Sequence, residues 1–109
     1  MVSFSWVINM QDLKKTGIKP VVIDEIKALA QIYEIQKVIL FGSRARGDFH
    51  RASDIDLAVE GGRITDFMIE VKDSTSTLLE FDIVDLAHTQ PGKFLESIKR
   101  EGIILYEKI

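Results

Sequence analysis

Val2, Phe4, Trp6, Ile8 and Met10 are apolar while Ser3, Ser5 and Asn9 are polar, and this period of two predicts a strand over residues 1–10. Lys14 to Lys19 is polar and contains Gly17, which reads as a loop. Pro20 suits a helix start, and Val22, Ile26, Leu29 and Tyr33 recur at helical spacing, predicting an amphipathic helix over 21–34. Lys37 to Phe41 is a short apolar run, a buried strand. Gly42 and Ser43 follow as a turn, with a short helix over 44–47. In the next strand, Asp54 to Glu60, Ile55, Leu57 and Val59 face one way and Asp54, Asp56 and Ala58 the other. Gly61-Gly62 breaks it. A helical stripe of Ile64, Phe67, Met68, Val71, Thr75 and Leu78 comes next, and Ser74 to Thr77 is a poor helix former that predicts an early end. Phe81 to Leu86 reads as a strand. Thr89 and Pro91 open a helix carrying Phe94, Leu95 and Ile98, which Gly102 stops, and Ile103 to Tyr106 is a last strand. Helices and strands alternate, so the class is α/β or α+β with a mixed sheet.

The 109 residues fit one domain, with a core over 20–107 and an extension over 1–19. Net charge is −3, which argues against a basic surface that coats nucleic acid, so no direct nucleic-acid binding is expected. Without cysteine there is neither a disulfide nor a thiolate metal site. No apolar run approaches the ~20 residues that span a membrane, and the start lacks a signal-like pattern, so a cytoplasmic protein is expected.

Candidate chemistry is concentrated in residues 41–57. Gly42 and Ser43 offer bare N–H groups and a hydroxyl to phosphate oxygens, and glycine leaves the approach clear. Asp54 and Asp56 are two residues apart and therefore share a strand face, where unpartnered carboxylates are disfavoured. Two carboxylates beside a phosphate-binding turn make a site for a nucleoside triphosphate with divalent metal, two Mg²⁺ ions or the equivalent Mn²⁺.

Gly42-Ser43-x-Ala45-Arg46-Gly47 followed by Ser53-Asp54-Ile55-Asp56-Leu57 resembles the signature of the DNA polymerase β-like nucleotidyltransferase superfamily. The small size and the Ala-Arg-Gly variant are similar to its minimal nucleotidyltransferases, many of them antitoxins encoded beside a HEPN-domain toxin. The resemblance spans about Pro20 to Glu107. It implies a mixed sheet of three to five strands, with helices on one face and the active site on the other. It implies transfer of AMP from ATP to a hydroxyl, and its antitoxin branch implies a tyrosine of the HEPN toxin as acceptor. It also implies a third carboxylate on a neighbouring strand. Asp82 and Asp85 are the candidates; Phe81 and Ile83 should face the core, which puts Asp82 on the open side with Asp54 and Asp56, as metal ligand and base for the hydroxyl. Arg46 matches the family arginine and serves either a phosphate or an ion pair. Arg44 reads as solvated or partner-facing, and Ser53 as a brace for the turn into the Asp strand. His50 and His88 lack a neighbouring His or Cys at ligand spacing, so they read as an exposed loop residue and a strand-end surface residue.

Two other readings compete: a catalytically weak module that neutralises a partner sterically, and a small-molecule transferase of the antibiotic-modifying kind. The apolar row from Val2 to Met10 is either an edge strand or a docking surface for a toxin or a second copy, giving a homo-oligomer.

Overall fold

The structure is a computed structural model and describes residues 13–109, so the strand expected over 1–10 lies outside the described residues. Its elements are α1 (Pro20–Ile32), β1 (Lys37–Phe41), α2 (Ser43–Arg46), β2 (Ile55–Glu60), α3 (Ile64–Ser74), β3 (Phe81–Asp85), a 3₁₀ turn (Leu86–His88), α4 (Lys93–Glu101) and β4 (Ile103–Glu107).

The four strands form one mixed sheet in the order β3-β2-β1-β4. β1 pairs antiparallel with β2 and with β4, while β2 pairs parallel with β3 through a crossover that carries α3. The alternation read from the sequence decides what each face does. Val38, Leu40, Ile55, Leu57, Val59, Phe81 and Ile83 point to one side, where Val22, Ile23, Ile26 and Ala30 of α1 and Phe67 and Val71 of α3 cover them. This is the main core, and its burial supplies most of the drive to fold. α3 ends at Ser74, where the Thr75 hydroxyl turns back to donate to the Val71 carbonyl at 2.7 Å. Serine and threonine compete in this way with the helix ladder. The loop that follows is tied to α1, because the Ser76 amide and hydroxyl donate to the Glu25 carboxylate at 2.7 and 2.6 Å. Those bonds hold the Glu25 carboxyl below its usual range.

The opposite face is divided. α1 and α3 lie on the first face as expected, but Ile98 of α4 packs with Ile39, Phe41 and Ala58 on the second. Ala58 of β2 belongs to this second cluster, and Val84 of β3 and Leu86 pack against it. Asp56 and Asp82 therefore remain beside an apolar cap instead of on a bare sheet.

The segment read as a polar loop over 14–19 is partly interior. Thr16 and Ile18 are buried, and the Thr16 hydroxyl donates to Leu13 and accepts from the Ile18 amide.

Candidate active site

Gly42 leaves β1 with φ 77° and ψ −157°, a conformation essentially confined to glycine. A Cβ placed there would collide with the Asp56 carboxylate. The turn and the acidic strand are thus in direct contact, and only a residue without a side chain allows it. The Gly42 carbonyl accepts from the amides of Ala45 and Arg46, both at 3.1 Å, and the Ser43 carbonyl accepts from Gly47 at 2.8 Å and Asp48 at 3.1 Å. Gly47, at φ 92°, ends the turn. The first amides of such a turn have no partner within it, so those of Ser43 and Arg44 are the ones available to an anion.

Register places the carboxylates. Asp56 lies opposite Phe41 on β1 and opposite Asp82 on β3. Adjacent strands are about 4.8 Å apart, and partners in register present their side chains on the same face. Asp54 stands just before β2 and is exposed, as is Asp82; Asp56 between them is half-buried. Burial, then the charge of Asp82, then that of Asp54 push the Asp56 carboxyl above its usual range, and Arg46 opposes this. The structure thus brings Asp54 and Asp82 within electrostatic reach of Asp56, which lies against the Gly42 turn. Among the described residues no three acidic or imidazole groups close into a ready-made metal cage. Mg²⁺ needs none, since one or two carboxylates, waters and substrate phosphates complete its shell. An all-oxygen donor set whose central carboxylate is repelled by its neighbours fits such a hard cation.

Asp85 belongs elsewhere. Its carboxylate accepts from the Ala87 amide at 2.9 Å and pairs with His88 Nδ1 at 3.0 Å, capping the 3₁₀ turn. His50 is exposed in the loop before Asp54. Arg46 is an ion-pair residue in this structure: Nε bonds Asp48 at 3.1 Å and Nη1 bonds Glu101 at 3.4 Å. Asp48 raises its proton affinity further. Ser53 braces the loop as read, its hydroxyl accepting from the His50 amide at 2.7 Å.

Arg44 overturns its expectation. It is neither solvated nor partner-facing but 1% exposed, the largest of the fully buried side chains among the described residues. Its guanidinium donates to the carbonyls of Ser53 at 3.0 Å, Thr16 at 2.9 Å and Arg51 at 3.1 Å, and more distantly to His50 at 3.5 Å. The Phe49 ring lies over it, 4.6 Å from centroid to Cζ. Burial lowers its proton affinity, but a guanidinium stays charged at neutral pH. All of its acceptors are backbone carbonyls, so no side-chain pattern in the sequence announces it.

Residues 24–109 match the family described as Polymerase beta, Nucleotidyltransferase. The chain belongs to this family. The nucleotidyltransferase is also 34% identical over 92 residues to a protein of Methanocaldococcus jannaschii named "Putative protein adenylyltransferase MJ0604", covering 74% of this chain and 90% of the relative. Among solved structures it resembles a toxin–antitoxin crystallised with AMP-PNP, at TM-score 0.61 and 25% identity over 79% of this chain and 73% of that one. A variant of the toxin–antitoxin MntA-HpeT aligns at TM-score 0.58 and 26% identity, over 78% of this chain and 72% of that one. The mixed sheet and its helices are the polymerase β-like nucleotidyltransferase fold.

Proposed function

We propose that this nucleotidyltransferase moves AMP from ATP, with divalent metal, to a tyrosine hydroxyl of a HEPN-type toxin partner and so acts as an antitoxin. The observation that carries the reading is the contact of the Gly42 turn with Asp56, itself in register with Asp82. The names of the relative and of the structural neighbours support the acceptor class.

Each part has a task. The Ser43 hydroxyl and the turn amides bind the triphosphate oxygens. Arg46, close enough to be felt by Asp56, adds positive charge there. Asp54, Asp56 and Asp82 would hold the metal; when bound, it neutralises the phosphates and aligns the reacting groups. Asp82, exposed on the neighbouring strand, accepts the proton of the acceptor hydroxyl, whose oxygen bonds to the α-phosphorus as the bond to the β-phosphate oxygen breaks and pyrophosphate leaves. The relative's name, a protein adenylyltransferase, supports an acceptor hydroxyl carried by another protein molecule.

The test is transfer of label from α-labelled ATP, with Mg²⁺ or Mn²⁺, to the co-expressed neighbouring protein, with the modified residue located by mass spectrometry. Label on a partner tyrosine is the expected result. Tight partner binding with no transfer would favour steric neutralisation instead.

A further inference from the structure

Arg44 joins its own turn to two other stretches of chain, at residue 16 and at residues 50–53. It grows from the phosphate-binding turn. One arm of its guanidinium holds Thr16, ahead of α1; the other arm and Nε hold the carbonyls of Arg51 and Ser53, within the three residues before Asp54. The residue after Asp54 is fixed independently, since the Ile55 amide donates to the Glu80 carbonyl at 2.9 Å. Asp54 itself is exposed. Its backbone is therefore held from two sides: by the sheet and by Arg44.

We propose that Arg44 is a positioning residue that clamps residues 51–53 to residues 16–18 and thereby sets Asp54 beside Asp56, making the segment before Pro20 a working part of the active site. That segment precedes the family match, which begins at residue 24. It is nonetheless shaped to fit. Gly17 has φ +71°, and a Cβ on it would strike the Phe49 ring and approach Arg44 Nη1 to 3.0 Å. Thr16 and Ile18 are buried on either side. A planar fork is the one side chain that can reach carbonyls on both sides at once; the single ammonium of lysine keeps the charge and loses the span. The role assigned to Asp54 rests on the nucleotidyltransferase reading, but the clamp can be tested apart from it.

The experiment compares the full chain with Arg44→Lys and Phe49→Leu by amide hydrogen exchange and by binding of Mn²⁺ with AMP-PNP, read from the electron paramagnetic resonance of free Mn²⁺. In Arg44→Lys, amides of 47–54 and 16–18 should exchange about ten- to hundredfold faster, the shift expected from losing a charge-assisted hydrogen bond. Amides of Val38 to Leu40 should be unchanged, and Mn²⁺ affinity should fall about tenfold. Phe49→Leu should move the same amides less. Unchanged exchange over 47–54 overturns the clamp, and so does loosening of β1 in step, which would make Arg44 a general core residue. A loosened loop with unaltered Mn²⁺ affinity overturns the positioning of Asp54. If the wild type binds no Mn²⁺ with AMP-PNP, the nucleotidyltransferase reading fails while the exchange data still decide the clamp.

Discussion

Replacing Gly42 with alanine tests the central contact of the site. Two costs arise at this position. The first is strain: φ 77° with ψ −157° lies where residues with a Cβ pay about 1–3 kcal/mol. For a domain of this size, about 4–8 °C of melting temperature per kcal/mol converts this to a fall of about 4–24 °C. The second cost is local. The new methyl would meet the Asp56 carboxylate, which must move aside. A displacement of about an ångström at a reacting centre is worth about 10²-fold in rate. Gly47→Ala separates the two effects. It also has positive φ, 92°, but nothing lies within 4 Å of its Cβ position, so strain alone applies. Thermal melts and transfer from α-labelled ATP, both measured well below the lower melting temperature, give the comparison. Gly42→Ala should lose at least about 10²-fold in transfer while Gly47→Ala keeps most of it. Equal losses in the two variants, or near-normal transfer by Gly42→Ala, would refute the idea that Asp56 acts from its seat against the turn.

Asp54→Asn or Asp56→Asn should abolish transfer while circular dichroism stays native, because amides are poor ligands for hard cations; activity in either variant removes that carboxylate from the site. Asp82→Ala should lose at least about 10²-fold in rate, the low end of a positioned base's contribution, whereas Asp85→Ala should retain activity and lose about 1 kcal/mol by denaturant titration, as expected for a broken cap. The Asp56 carboxyl binds its proton more tightly folded than unfolded, so its contribution favours the fold at acid pH and is lost as pH rises through the raised value. In chelator, urea midpoints from about pH 4 to pH 7 should therefore show a destabilising slope that Asp56→Asn removes, with Asp56→Asn the more stable protein at neutral pH; parallel pH profiles for the two would contradict it.

The strands and helices were legible because each carries its own periodicity. β1 starts and ends as read, and β2, β3 and β4 differ from expectation by a residue at one end. The early stop of α3 was also legible, since Ser74 to Thr77 offers hydroxyls where a helix needs carbonyl partners. The spacing of Asp54 and Asp56 and the parity of Asp82 pointed to one face, and the register places Asp56 and Asp82 side by side. What the sequence concealed was interaction without pattern. Arg44 is satisfied by carbonyls, which every residue possesses, so its burial has no signature in residue type. The interior position of Thr16 follows from that same bond. α4 read as one more amphipathic helix, and its apolar stripe did not say which sheet face it would cover. The Asp85 cap depended on a 3₁₀ turn that the apolar pattern did not show.

The parallel pairing of β2 with β3 also sets an order of assembly. β1 and β2 pair antiparallel through the connection that contains the Gly42 turn, a contact close in sequence. Asp82 joins them only after the chain has passed through α3 and closed a crossover, the kind of non-local pairing that slows folding. During synthesis, which runs from the N-terminus, the Gly42 turn and Asp56 exist before Asp82 has been made. A nascent or truncated chain ending before Phe81 would own the turn and two of the acids yet have no group to take the acceptor's proton. On the proposed mechanism, the catalyst therefore switches on when folding is complete.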